Sequence, residues 1–410
     1  MDNVDYLIIG GGVAGTSAAA AIREHDVQGS IVLVTDEQLR LYSRPRLPHF
    51  ASGKIKEENL FVRKASFYEE NKVDFRPESR VERFDPESRT ATMSDGSRIR
   101  FHKALIATGG RPRTLDVTGS EAPGVLYFRT AADAKAVSDT VRNCTHVVVI
   151  GGGFISLEFV HVCAALGVEA TVLVRDRHYW ARALDQAGAQ MLTGLLAEHG
   201  AIIRTNVQNE QITANGRFSR VQCTDGTSLR CDAIGVGIGI APNIDFLAGG
   251  PIKMERGVWT DSYMRTNVPD VFAAGDIAEF EDVVLQRRHQ MGNWANGEHQ
   301  GRIAGLNMAG VGEEYRTVSA YTIQSFGLNI SFVGDTAATQ DTEIIPRGNP
   351  QERRYGRIFL RNGLVVGATL LGRGNERGII AKMIQSRVNL QAKKDLLRQG
   401  DFDLRELVQV

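Results

Sequence analysis

The chain has 410 residues, 42% of them hydrophobic, with 43 glycines, four cysteines and 48 basic side chains against 48 acidic ones. That length exceeds what one hydrophobic core serves, so two or three domains are expected. Zero formal charge argues against broad nucleic-acid or membrane binding, no apolar run reaches membrane length, and no secretory signal pattern opens the chain, so the expected home is the cytoplasm.

The first element lies in residues 6–15, YLIIGGGVAG. The apolar run predicts a buried parallel strand, Gly10, Gly11 and Gly12 a tight turn, and Val13, Ala14 and Gly15 a helix start. Glycines in that pattern let backbone N–H groups approach a pyrophosphate at the positive end of the helix. A second strand, SIVLVT, ends at Asp36 and Glu37, where a carboxylate accepts both hydroxyls of an adenosine ribose. The next segment, LRLYSRPRLPHF, is a proline-punctuated loop whose Arg40, Arg44 and Arg46 offer forked donors to phosphate. Residues 60–72 read as helical, and residues 73–106 as a β-meander with turns at DPES and SDGS. The meander returns in a strand that ends at Thr108, Gly109 and Gly110, again a turn suited to close backbone approach.

The opening plan then recurs. Residues 145–160 read as a strand, a turn at Gly151, Gly152 and Gly153, and a helix beginning at Phe154 and Ile155. A strand ATVLVR, a helix over about 185–199 and a second meander follow, closing in DAIGVGIGIAPN with Gly237 and Gly239. Two dinucleotide-binding units of similar order make an internal repeat. Residues 266–280 read as one more buried strand, ending in Gly275 and Asp276, with a helix over about 294–308 behind it. From residue 321 the pattern is of hairpins, one turning at Asn362-Gly363, and a helical tail over 376–410 ends the chain. Cys144, Cys163, Cys223 and Cys231 form no CxxC pair and read as buried thiols.

Two dinucleotide units, an ATG loop and a late GD strand together resemble the FAD-dependent pyridine-nucleotide oxidoreductases over nearly the whole chain. The loop LYSRPRLPHF is similar to the YxRPxLSK loop of the single-flavin ferredoxin, rubredoxin and apoptosis-inducing-factor-like reductases. The C-terminal SFGLNISFVGD and RIFLRNGLVVGATLLG resemble the last domain of NADH:rubredoxin reductases and the flavin part of nitrite reductases. The implied class is α/β, with two Rossmann-like dinucleotide-binding domains of three-layer ββα type and a C-terminal α+β domain. FAD binding is assigned to residues 1–115 and 245–320, NAD(P) binding to 116–244, and the α+β domain to 321–410.

By this likeness Gly10, Gly12, Val13, Ala14, Gly15, Asp36 and Glu37 hold the ADP half of FAD, with Val81 beside it. Arg44 and Arg111 lie against its phosphates and flavin. Thr108 and Gly109 line the ATG loop, and Asp276 takes a ribityl oxygen. Trp294 stands at the flavin edge, where the dipole of its helix favours negative charge on the reduced ring. Gly151, Gly153, Phe154, Ile155, Glu158, Gly237 and Gly239 fall to NADPH or NADH. No metal is expected.

Three positions depart from the family pattern. His49 replaces the lysine that pairs with a helix glutamate beside flavin N5, so a His49–Glu158 pair is expected, with flavin reduction dependent on pH. Ser156 replaces the last glycine of the second fingerprint. Arg175 and Arg177 stand where members specific for NAD carry an acid; an arginine suits the 2′-phosphate of NADP, and Asp176 between them leaves NADH open. Residues 36–60 contain no cysteine, so a thiol relay is not expected. The resemblance implies hydride delivery to flavin N5, then single electrons passed to a small iron–sulfur or rubredoxin-type protein. An acidic acceptor implies a basic rim, for which Arg287, Arg288, Arg353, Arg354, Lys393 and Lys394 are candidates. The rival readings are an NAD(P)H oxidase or quinone reductase, and a weakly catalytic nucleotide-sensing flavoprotein that works as a homodimer.

Overall fold

The computed structural model describes residues 1–215 and 218–408 and divides into two compact units. Met1–Ser43, Phe61–Arg111 and Ala241–Ser319 form the first. The described residues of Arg44–Leu60, Pro112–Ile240 and Ala320–Val410 form the second.

In the first unit, strand Asp2–Ile9 lies between the parallel strands Ile31–Val34 and Arg98–Ile106. Arg98–Ile106 splits its outer edge, taking Thr90–Met93 antiparallel along its first half and Val271–Ala273 parallel along its second. Leu7 and Ile9 enter one apolar cluster with Val32, Val34 and Ile106, while Tyr6 and Ile8 enter another with Ala18, Ile22 and Leu33. A sheet covered on both faces reads as an unbroken apolar run, which is why the 6–9 and 31–34 segments lack alternation. Helix Trp294–Met308 packs on helix Val13–His25 through Gly297, Gly301 and Gly305. A Cβ on Gly301 would lie 2.1 Å from the Ala14 carbonyl oxygen, and one on Gly305 2.4 Å from that of Ala18.

Three expectations change in this unit. Within 60–72 only Phe67–Glu70 is α-helical, because Phe61 bridges Tyr42 in an extended pair and Lys72, at φ +49°, ends the turn. Val73–Arg76 leaves the meander to pair parallel with Ile31–Val34. The stretch 266–280 is two strands, Val271–Ala273 and Ala278–Asp282, parted at Gly275, where φ is +84°.

The second unit carries a parallel sheet in the order Ala201–Thr205, Glu169–Val174, His146–Ile150, Ala233–Val236, Val125–Leu126. Helix Phe154–Leu166 follows the glycine turn, and Asp185 caps helix Gln186–Glu198 by accepting the Gly188 N–H at 2.9 Å. The second meander is present as Asn209–Asn215, Phe218–Cys223 and Ser228–Cys231; Gly216 and Arg217 lie outside the described residues.

Five antiparallel strands make the C-terminal sheet, with Asn362 and Gly363 at φ +49° and +75° in the expected turn. The tail is Arg377–Gln385, Lys394–Arg398 and a 3-10 turn Leu404–Leu407, interrupted at Arg387 (φ +51°) instead of continuous; Gln409 and Val410 lie outside the described residues. Arg347, 2% exposed, gathers it. Its guanidinium donates to the Glu376 carboxylate and to the carbonyls of Leu397, Gln399 and Phe402. A buried guanidinium needs that many acceptors to offset its lost hydration. No helix among the described residues is long and apolar enough to cross a membrane.

Candidate functional site

Each unit contains one glycine turn, and the two are built alike. In the first, Gly10 has φ +119° and a Cβ there would lie 2.3 Å from the Ala107 carbonyl oxygen. Gly15 lets its helix close in, since a Cβ would lie 2.0 Å from the Gly10 oxygen. Gly12 differs: a Cβ on it meets nothing within 4 Å. Two glycines therefore serve the protein's own packing, and one keeps space open in front of the helix. That helix has no acidic residue in its first turn and no side-chain cap, so its leading N–H groups face the space with positive character. The cradle fits the diphosphate of a dinucleotide, the class to which FAD and NAD(P) both belong.

Around it, Asp36 is exposed and Glu37 half-buried, with the Glu37 carboxylate accepting the Tyr42 hydroxyl. The Val81 side chain belongs to the core, which leaves only its backbone for a ligand. Thr108 donates its hydroxyl to the Asn243 carbonyl at 2.9 Å, and the Asn243 amide returns a bond to the Thr108 carbonyl at 3.0 Å. Asn243 also donates its N–H to the Gly109 carbonyl. Arg111 bonds Asp245 at 2.8 Å and the Asn243 side chain at 3.1 Å. Asp276 is half-buried beside Gly292, where a Cβ would come within 3.0 Å of its carboxylate. Trp294, half-buried, opens its helix behind the Asn293 cap. Asn243 and Gln300 escaped the sequence reading. Gln300, fully buried, accepts the Gly275 N–H at 2.9 Å, and its Nε2 has no partner among the described residues.

In the second unit Gly151 has φ +122° and stands 2.3 Å, by its missing Cβ, from the Gly237 carbonyl oxygen. Gly153, like Gly12, faces open space. Ser156 is fully buried and fits because Gly237 opposite it has no side chain: a Cβ there would lie 2.8 Å from the Ser156 nitrogen. Phe154 is exposed and Ile155 half-buried at the helix start. Gly239, at φ +106°, accepts the Arg113 N–H through its carbonyl. Arg175 and Arg177 are exposed past the end of Glu169–Val174, and the Arg175 Nε lies 3.5 Å from Asp176. Arg177 lines a cavity of about 350 Å³ with His178, Gln186, Gln190 and Thr205.

The proline-rich loop also belongs to this unit. Arg44 donates to the Arg129 carbonyl at 2.7 Å. Pro48 sits in the short helix Leu47–Ala51, which delivers His49 edge-on to His161, with ring centroids 5.4 Å apart. His49 and Glu158 share no hydrogen bond or ion pair: the histidine lands one helical turn beyond the glutamate. Glu158 is half-buried, and burial lifts its carboxyl to about 8 against the opposing Arg129 charge. The Lys54 ammonium lies 3.3 Å from His161 Nε2. Burial first, then Lys54, pushes His161 down to about 4; partial burial, then Lys54 and Arg46, lowers His49.

None of the four cysteines is in a disulfide; Cys163, Cys223 and Cys231 are buried as expected, whereas Cys144 is only half-buried. Burial pushes the Cys163 and Cys231 thiols up to about 12 and raises Cys223, so these three are poor nucleophiles at neutral pH. No cluster of three or more metal-ligating side chains occurs among the described residues. Of the basic rim candidates, Arg287 and Arg288 lie in the first unit and Arg353, Arg354, Lys393 and Lys394 in the second. Arg353 pairs with Glu198 and Lys394 with Glu343, while the Arg288 guanidinium stacks 4.5 Å over Trp259.

The family model described as pyridine nucleotide-disulphide oxidoreductase matches residues 4–301. The chain is similar to rhodocoxin reductase of Rhodococcus erythropolis, 28% identical over 404 residues, covering 98% of this chain and 94% of that one. It is also similar to rubredoxin-NAD(+) reductase of Pseudomonas putida, 27% identical over 330 residues, covering 80% and 86%. Among solved structures it resembles the ferredoxin reductase for the CYP199A2 system of Rhodopseudomonas palustris, with 26% identity, TM-score 0.91 and 100% of both chains covered.

Proposed function

The chain belongs to the pyridine nucleotide-disulphide oxidoreductase family, and from that membership we propose that it is an FAD-dependent NAD(P)H oxidoreductase serving a small redox protein. The acceptor is of the ferredoxin or rubredoxin kind, as the names of its relatives have it. The observation that carries this reading is the pair of matching glycine turns, Gly10 and Gly151, each pressed against a carbonyl and each followed by a glycine facing open space. FAD, when bound, supplies the hydride-accepting and single-electron-donating chemistry.

The chain's own residues bind and orient. The first turn holds the ADP half, Asp36 and Glu37 accept ribose hydroxyls, Asp276 takes a ribityl oxygen, and Thr108, locked to Asn243, keeps the ATG loop in place. The same proposal divides the chain into FAD segments 1–115 and 245–320, an NAD(P) segment 116–244 and a last domain 321–410, and places the protein in the cytoplasm. High-pKa buried thiols speak against a cysteine relay, which favours outward transfer of electrons over disulfide chemistry. Nothing in the site favours the oxidase or the nucleotide-sensing alternative.

For the nucleotide, exposed Arg175 and Arg177 support NADPH. Asp176, half-buried between them, supports NADH as the second reading. The test is anaerobic reduction of the purified yellow protein with each nucleotide, followed by titration with a ferredoxin or a rubredoxin. Bleaching by a nucleotide and recovery by the redox protein are expected. Recovery by oxygen or quinone alone overturns the assignment of acceptor.

A further inference from the structure

We propose that Tyr179 and Trp180 are positioning residues for the nicotinamide nucleotide, bracing the second glycine turn from outside the helix it opens. This rests on the reading that residues 151–156 hold that nucleotide.

Tyr179 is fully buried, and its hydroxyl donates to the Gly153 carbonyl at 3.1 Å. The Trp180 backbone N–H donates to the Gly152 carbonyl at 2.8 Å. Consecutive carbonyls of the turn are thereby pinned by consecutive residues of a loop that follows the next strand. In a trans peptide the C=O and N–H point opposite ways. The Gly153 carbonyl also accepts the Leu157 N–H of its own helix at 3.2 Å. The Tyr179 hydroxyl is a second donor that holds this peptide with the Phe154 N–H, the leading donor of the helix, pointing the opposite way, toward the space in front of Gly153. Among the described residues the first cradle has no such brace: the Gly11 and Gly12 carbonyls accept from Thr16 alone.

The brace has a rigid seat. Trp180 has φ +53°, a left-handed conformation that a bulky residue keeps only when its surroundings impose it. Those surroundings are the C-terminal sheet. Phe332 lies 5.3 Å from the indole and stacks on Tyr321 at 5.1 Å. Thr369 and Arg357 both donate to the Ala183 carbonyl, and Tyr355 donates to Asp185 at 2.6 Å. The indole also stands 6.4 Å from the exposed Phe154 ring at the helix start. The last domain thus reaches the nucleotide through this loop.

The test uses the FAD-loaded protein in anaerobic rapid mixing, where the rate of flavin bleaching against nucleotide concentration separates Kd from the limiting rate. Tyr179→Phe keeps the ring and loses one neutral hydrogen bond, so Kd should rise roughly two- to tenfold with an unchanged limiting rate and flavin content. Trp180→Leu, which removes the ring beside Phe154, should raise Kd in the same way with an unchanged limiting rate. An unchanged Kd in either variant overturns the proposal. So does a lowered melting temperature with unchanged Kd, which marks a purely structural role. Wild-type protein that binds neither nucleotide overturns the functional reading, and the brace with it; normal binding by wild type and variants alike overturns the brace alone.

Discussion

Gly301 meets Ala14 so closely that a single added carbon would stand 2.1 Å from the Ala14 carbonyl oxygen. With Gly297 and Gly305 it forms a small-residue seam that sets helix Trp294–Met308 against the helix behind the first cradle. Gly301→Ala should therefore cost about 1–3 kcal/mol by overpacking and loosen FAD with it. Thermal melting and flavin retention after gel filtration check both effects, and a variant that melts like wild type shows that the helices part freely.

The glycines of each cradle should separate by role. Gly12→Ala and Gly153→Ala meet no protein atom, so both variants should fold with wild-type stability when measured without cofactor. Gly12→Ala should nevertheless lose FAD, and Gly153→Ala should keep FAD while its nucleotide Kd rises. Gly10→Ala, forced against the Ala107 carbonyl, should be destabilised outright. Cofactor-free denaturant titrations beside flavin absorbance distinguish the three.

Stability should depend on pH from both sides. His161 titrates near 4 in the folded chain against an ordinary 6.5, so the unfolded chain takes up the proton first and stability falls as pH drops from 6.5 toward about 4. Glu158 titrates near 8 against 4.5, so the folded chain holds that proton longer and stability falls as pH rises from 4.5 through about 8. His161→Gln should flatten the acid limb of a melting-temperature profile and Glu158→Gln the alkaline limb. Parallel profiles for wild type and variant would remove the group concerned.

Arg175 should discriminate between nucleotides. Loss of one charge-assisted contact, about 1.5–3 kcal/mol, lowers NADPH affinity in Arg175→Ala by roughly tenfold or more and spares NADH. Dissociation constants for the two nucleotides check this, and equal losses for both place Arg175 away from the 2′ position.

What could be read from sequence is what local geometry dictates. The glycine turns at Gly10 and Gly151 were legible because one backbone conformation, needed within a few residues, leaves no other side chain a place. The Asn362-Gly363 turn and the 294–308 helix followed from equally local signals. The Gly297, Gly301 and Gly305 seam was written at four-residue spacing, yet it has meaning only beside Ala14 and Ala18, nearly three hundred residues earlier. Asn243 shows the same limit, since its partner Thr108 is 135 residues away. His49 reached His161 instead of Glu158 because it lies in the short helix Leu47–Ala51, and a motif match carries no information about where that turn points the side chain. In 60–72 the helical composition yielded to the pairing of Phe61 with Tyr42.

The hub at Arg347 changes what cleavage near the end of the chain would report. A terminal segment ordinarily frays, and proteases sample it from the native state. Here residues 397–402 give three carbonyls to one buried guanidinium whose charge is balanced by Glu376. Peeling them away would leave its two terminal nitrogens short of acceptors inside the last domain. Nicking at this segment should accordingly track cooperative opening of the whole antiparallel sheet, and amide protons there should exchange as slowly as those of the strands they cover.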